Sequence, residues 1–140
     1  MNTKRPNLDA IPQVFKKYPS VQAVYLFGSY ASGQVRRESD LDLAIVPRDS
    51  SAKKQTLDIM ADLVRHVHDR VDLVFLDSKD VVLRFEAVRH NRLVYQTDEF
   101  DPGTYTSRIV REYWDFLPYL AVQRQAMKQR ILGHGARRSA

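Results

Sequence analysis

Residues 28–43 read GSYASGQVRRESDLDL, and this stretch decides how the chain folds. It begins with Gly28 and Ser29 at the end of one apolar run, and it finishes at the start of another. Residues 40–46 alternate in polarity, so they predict a strand in which Asp40 and Asp42 share one face, about 7 Å apart. Like charges on one face repel each other, and a divalent cation between them removes that cost. Hard oxygen ligands of this kind suit Mg²⁺, which usually binds substrate phosphates as well.

The two aspartates have an alternative interpretation as the solvated face of a half-buried strand. That face continues as Ala44 and Val46, which are not solvent residues, so the strand alone leaves the two interpretations balanced. Gly28 and Ser29 favour a binding site, because glycine lets a backbone approach phosphate and serine offers hydroxyl and N–H groups to an anion. If residues 21–27 pair antiparallel with the second strand, Ser29 lies beside the aspartates.

A third carboxylate follows from the topology. Residues 52–68 predict a helix with one apolar side, and residues 71–76 predict a third strand. Strand, helix and strand in this order imply a right-handed crossover and a parallel pair, so Asp72 is expected level with the start of the second strand. We predict that Asp72 joins Asp40, Asp42 and Ser29 at one sheet edge; the alternative is an aspartate that caps a turn.

The remaining pattern predicts an α/β fold, a small mixed sheet covered by helices with a long C-terminal helix. Residues 8–18 and 80–90 predict helices, and residues 93–95 predict an edge strand. The long helix, predicted over residues 105–131, carries more apolar residues than one sheet can bury, which indicates a docking surface; burial on two sides within its own domain is the alternative. We predict one domain over residues 1–140, with a core at 8–97 and a disordered tail at 133–140.

The composition excludes several classes of protein. The 140 residues are 44% hydrophobic and include no cysteine, which excludes disulfides and thiolate chemistry. No stretch approaches the ~20 apolar residues of a membrane span, and no apolar signal region follows the N-terminus, so a cytoplasmic protein is expected. The net charge of +5 favours a nucleotide, a nucleic acid or an acidic partner.

Two further groups of residues have competing interpretations. Arg36 and Arg37 are candidates for contacts with phosphate or an acidic partner, and a solvated loop is the alternative. His66 and His68 lie two residues apart, so they do not share a helix face and are not predicted to be a metal-binding pair.

The spacing of Gly28-Ser29, ten residues, and then Asp40-x-Asp42 resembles the GSx10DxD signature of the polymerase β-like nucleotidyltransferase superfamily. The short chain and the residues flanking both motifs resemble its minimal MNT-type branch, the antitoxins of HEPN/MNT toxin–antitoxin pairs. The resemblance covers roughly residues 8–97. It departs at Ser32 and Gln34, where members of the branch often carry Arg and Glu, so the contacts of those residues are not carried over.

This resemblance implies transfer of AMP from ATP to a tyrosine of a cognate HEPN-type RNase toxin, which neutralises it. It implies Mg²⁺, expected as two ions, held by Asp40, Asp42 and Asp72, with Gly28 and Ser29 holding the nucleotide phosphates. The expected partners are the toxin and ATP; a membrane and direct nucleic-acid binding are not expected. Two other classes stay open: a non-catalytic antitoxin that acts by binding alone, and a nucleotidyltransferase acting on RNA or a small molecule.

Overall fold

A four-stranded sheet forms the centre of the protein. The computed structural model describes residues 5–139, with side chains described to residue 133. The strands are β1 (Val21–Phe27), β2 (Leu41–Pro47), β3 (Val71–Phe75) and β4 (Leu93–Gln96). They lie in the order β3-β2-β1-β4, with β1 antiparallel to β2 and β4, and β2 parallel to β3. The predicted mixed sheet, its parallel pair and the edge position of β4 are confirmed.

Helices cover both faces of this sheet. After a 3-10 turn at Leu8–Ala10, they are α1 (Ile11–Phe15), α2 (Ser29–Ser32), α3 (Ser51–Lys54), α4 (Thr56–His66), α5 (Val81–Val88) and α6 (Pro102–Ser139). Because successive strand residues point to opposite faces, β1 supplies Val24 and Leu26 to a core with α1 and α4. It supplies Ala23 and Tyr25 to a second core with α5 and α6. Both faces of the central strands are therefore buried.

The prediction of one continuous helix over residues 52–68 is wrong in one respect. Gln55 separates α3 from α4, with φ −96° and ψ 10° outside the helical region. Its side-chain oxygen accepts a 2.6 Å hydrogen bond from the hydroxyl of Ser20, which comes from the segment before β1. Because this partner is remote in sequence, the local apolar periodicity carries no sign of the break.

The long helix α6 packs only through its first half. Ile109 is fully buried, the rings of Phe85 and Tyr113 stack at 3.8 Å, and Arg84 pairs with Glu112 at 2.7 Å. Residues 121–133 are all exposed, so this part is not buried on two sides. No helix among residues 5–139 is long and apolar enough to cross a membrane.

The ends of α6 differ from the predicted ones. The helix begins at Pro102 and continues to Ser139, instead of spanning residues 105–131. An isolated glycine inside a helix costs only about 1 kcal/mol relative to alanine, so Gly133 does not stop it. The side chains of residues 134–140 lie outside the described part of the chain, and the disorder predicted for residues 133–140 stays a prediction.

Candidate active site

The five residues that the sequence singles out lie together at one end of strands β1, β2 and β3, which we call the carboxylate edge of the sheet. The start of β2 lies beside the start of β3, with Asp42 opposite Asp72, and beside the end of β1, with Asp42 opposite Phe27. Gly28 and Ser29 follow β1 directly, and Asp40 directly precedes β2. The expected convergence of the Gly-Ser turn with three carboxylates is therefore present, while the roles of these residues stay a prediction.

Asp42 is the central carboxylate of this edge. Neighbouring strands lie about 4.8 Å apart, so Asp72 on β3 is its close neighbour, and Asp40 lies two residues before it. Asp42 is half-buried, whereas Asp40 and Asp72 are exposed. Burial, followed by the charges of Asp72 and Asp40, raises the pKa of Asp42 from 3.8 to about 6. An ionised Asp42 is thus costly here, and a bound cation would offset that cost.

Gly28 brings the turn after β1 against the carboxylate of Asp42. Its backbone has φ 70° and ψ −152°, a region that is essentially restricted to glycine. A Cβ atom at this position would overlap Oδ2 of Asp42 and would lie 3.0 Å from its Cγ. Glycine is therefore required for two independent reasons, the backbone conformation and the close approach.

Ser29 occupies the first position of the short helix α2. The carbonyl of Gly28 accepts hydrogen bonds from the amides of Ala31 at 3.1 Å and Ser32 at 3.0 Å, which fixes the turn. Amides in the first turn of a helix have no intrahelical acceptor, so the Ser29 amide and hydroxyl are available to an anion. Gly28 and Ser29 thus place donors next to the carboxylate edge.

Sequence reasoning missed one residue at this edge, Arg70. Its Nε lies 3.4 Å from Oδ1 of Asp40, and its carbonyl accepts a 2.8 Å hydrogen bond from the amide of Leu41. Arg70 directly precedes β3 just as Asp40 directly precedes β2. This shared position, in two strands already predicted to be parallel, was the signal that could have identified it.

The other polar candidates lie in the segments that precede β2 and β3. Arg36 and Arg37 lie in an exposed loop, in which the Arg36 amide donates to the Ser39 hydroxyl at 2.7 Å. His68 is 9% exposed, and its Nδ1 accepts a 3.0 Å hydrogen bond from the Arg70 amide. His68 therefore supports the turn before β3.

The chemistry of this donor set fits Mg²⁺. Among residues 5–133, whose side chains the structure describes, no group of three His, Cys, Asp or Glu side chains is already arranged to hold a metal ion. Mg²⁺, however, usually takes one or two protein carboxylates and completes its coordination with substrate phosphates and water. Asp42 and Asp72 are neighbours, and Asp40 lies beside them. Because the Gly28 turn also contacts Asp42, this arrangement suits an ion that binds together with a nucleotide.

Comparisons with known proteins by sequence and by structure identify the same group of relatives. Residues 9–100 match the family described as polymerase beta, nucleotidyltransferase. The chain is 28% identical, over 84% of its length and 81% of the relative, to the protein adenylyltransferase MntA of Shewanella oneidensis. It is 26% identical to a chain in the crystal structure of a mutant MntA–HepT toxin–antitoxin (TM-score 0.68). It is also 26% identical to a chain in that of a toxin–antitoxin with AMP-PNP (TM-score 0.61). Each alignment covers 90% of this chain and 98% of the solved one.

Proposed function

Because the chain belongs to the polymerase β nucleotidyltransferase family, we propose that it is an antitoxin that transfers AMP from ATP to a tyrosine of a cognate HEPN-type toxin and so neutralises it. The observation that carries this proposal is the sheet edge where Asp40, Asp42 and Asp72 lie beside the Gly28–Ser29 turn. The similarity to a protein adenylyltransferase and to chains of toxin–antitoxin structures supports the acceptor class.

Gly28 and Ser29 hold the terminal phosphates of ATP in this proposal. Gly28 allows the backbone to approach closely because it lacks Cβ, and the Ser29 amide and hydroxyl donate hydrogen bonds to phosphate oxygens. Hydrogen bonds to charged groups are about twice as strong as neutral ones. The triphosphate is thereby oriented with its α-phosphorus toward the carboxylates at the start of β2 and β3.

Asp40, Asp42 and Asp72 form the catalytic part of the site. Mg²⁺, expected as two ions on these three carboxylates, would stabilise the charge on the attacking and leaving oxygens of an in-line displacement. Asp72, which is exposed to solvent, would also take the proton of the acceptor hydroxyl. The hydroxyl oxygen bonds to the α-phosphorus, the bond from that phosphorus to the bridging oxygen breaks, and pyrophosphate leaves.

The distal part of α6 supplies a docking surface for the toxin. Met127 lies about five turns beyond Ile109, and Ile131 about five turns beyond Tyr113, so they continue the side of the helix that is buried nearer the sheet. Met127 and Ile131 are 60% and 65% exposed. Residues 116–133 carry Arg124, Lys128 and Arg130 and no acidic residue. These charges favour an acidic protein surface around an apolar centre and disfavour pairing with a second copy of the same basic helix.

The same proposal includes a single minimal nucleotidyltransferase domain that acts in the cytoplasm, where ATP is available. It is tested by incubating the protein with α-labelled ATP, Mg²⁺ and three separate acceptors: a cognate HEPN-type toxin, RNA, and small-molecule alcohols. Label on a tyrosine of the toxin supports the proposal. Label on RNA or on a small molecule identifies a different nucleotidyltransferase, and toxin inhibition without label identifies a non-catalytic antitoxin.

A further inference from the structure

The backbone of Arg70 is held by two hydrogen bonds, whereas its side chain reaches solvent. Its carbonyl accepts a 2.8 Å hydrogen bond from the Leu41 amide, and its amide donates to Nδ1 of the buried His68 at 3.0 Å. The Arg70 side chain is nevertheless 52% exposed. The guanidinium can therefore change partner without disturbing the parallel pairing of β2 and β3.

Arg70 is the cation that the chain itself supplies to the carboxylate edge. Of the ion pairs within the described residues, the 3.4 Å contact between Arg70 and Asp40 is the one that involves any of Asp40, Asp42 and Asp72. Both side chains of this pair are about half exposed. Exposed pairs of this kind contribute little to stability, so a divalent cation that uses several carboxylates can displace the guanidinium easily.

We propose that Arg70 is an exchange residue: it releases Asp40 when Mg²⁺ binds and then pairs with a phosphate of the bound nucleotide. This inference rests on the proposed function. Mg²⁺ joins protein carboxylates to substrate phosphates, so the phosphates must lie at the same sheet edge as the released guanidinium. A guanidinium is also the side-chain group that matches phosphate oxygens bidentately. The guanidinium thus pairs with Asp40 when the site is empty and with a phosphate when metal and nucleotide are bound.

Arg70→Gln tests the two steps of this exchange separately. Loss of the pair with Asp40 should strengthen metal binding, and loss of the contact with phosphate should weaken nucleotide binding. Without nucleotide, the variant should bind Mn²⁺ about two- to five-fold more tightly than the wild type, since an exposed competitor has been removed. At saturating Mg²⁺ it should bind AMP-PNP about ten-fold more weakly, since a charged hydrogen bond to phosphate has been lost. Arg70→Lys keeps the charge without the planar fork, so it should bind Mn²⁺ like the wild type and AMP-PNP with an intermediate affinity.

Arg48→Gln is the matched control. Arg48 forms an exposed pair with Glu99 at the same distance, 3.4 Å, but it follows the end of β2 and so lies at the opposite edge of the sheet. Its substitution should change neither dissociation constant. If Arg70→Gln shows wild-type affinity for either Mn²⁺ or AMP-PNP, or if Arg48→Gln reproduces its shifts, the exchange is refuted. A wild type that binds neither ligand refutes the proposed function itself. Should Arg70→Gln fail to fold, Arg70→Lys with unchanged AMP-PNP affinity also refutes the exchange.

Discussion

Gly28 and Asp42 lie so close together that a Cβ atom on the glycine would overlap Oδ2 of the carboxylate and lie 3.0 Å from its Cγ. The contact joins the turn after β1 to the first residues of β2, which pair antiparallel. It makes the position of the Gly28–Ser29 turn depend on the position of Asp42. A change at either residue should therefore affect both nucleotide and metal binding.

Gly28→Ala should lower both the stability and the ligand affinity of the protein. The alanine would meet Asp42 and would also need φ near 70°, so we expect a loss of about 2–3 kcal/mol in the free energy of unfolding. Gly33→Ala is the control, because Gly33 has φ 82° but a Cβ atom there would have open space for 4 Å around it. It should cost about 1 kcal/mol and leave AMP-PNP binding unchanged. Urea unfolding and calorimetric titration measure both effects, and equal losses of affinity in the two variants would contradict this account.

Asp42→Asn should stabilise the protein in EDTA, and the gain should depend on pH. Below about pH 3 the carboxyl is protonated in both folded and unfolded wild type, so the variant gains little. As the pH rises through 3.8 the unfolded carboxyl ionises while the folded one, with its pKa raised to about 6, keeps its proton, and the wild type loses stability until the pH exceeds about 6. Above pH 6 the gain should level off at about 1 kcal/mol, a few degrees in Tm.

Asp62→Asn provides a control with the opposite sign. The Tyr18 hydroxyl donates to Asp62, and this bond, followed by Lys17, holds the pKa of Asp62 below its usual value. Its substitution should destabilise the protein at neutral pH, and the loss should vanish as the pH falls through the lowered pKa. Melting curves from about pH 2 to pH 8 measure both variants. A stability gain for Asp42→Asn that is constant over this range would contradict the assigned electrostatics.

Ser29→Ala should weaken nucleotide binding without unfolding the protein. The loss of a hydrogen bond to a charged phosphate predicts about a ten-fold rise in the Kd for AMP-PNP at saturating Mg²⁺. Ser32→Ala is the control in the same short helix, because the Ser32 hydroxyl donates to the Ser29 carbonyl at 3.3 Å and is exposed. If the two variants bind AMP-PNP equally well, Ser29 has no specific role in holding phosphate.

Charged substitutions on opposite sides of the distal part of α6 should differ in how strongly they weaken toxin binding. Met127→Glu combined with Ile131→Glu places charge on the side that continues the buried part of the helix, and should weaken toxin binding at least ten-fold. Val122 is as exposed as Ile131, 67% against 65%, and lies about 180° from it around the helix axis. The Val122→Glu variant should therefore bind the toxin normally. AMP-PNP affinity and Tm should stay near wild type in both. Normal toxin binding by the double variant would place the interface elsewhere.

How well the sequence predicts a feature of this structure depends on how far apart in the chain the interacting residues lie. The strands and the edge with Asp40, Asp42 and Asp72 follow from local alternation and from the handedness of one crossover. The break at Gln55 depends on Ser20, and the pair of Arg70 with Asp40 depends on the register of two strands. Neither shows in the periodicity of its own segment, and Arg70 becomes apparent only when β2 and β3 are aligned in parallel.

Transfer of AMP to the toxin by the wild type and by the Asp40→Asn/Asp42→Asn double variant tests the central claim most directly. Both proteins should be folded, since removing two like charges relieves repulsion in the absence of metal. We expect intact-mass spectrometry to show the toxin with added AMP groups, on a tyrosine, only with the wild type, ATP and Mg²⁺, and no addition with the folded double variant. Addition at the wild-type rate by the double variant, or none by the wild type while it still inhibits the toxin, would contradict the claim that this sheet edge is an adenylyltransferase site.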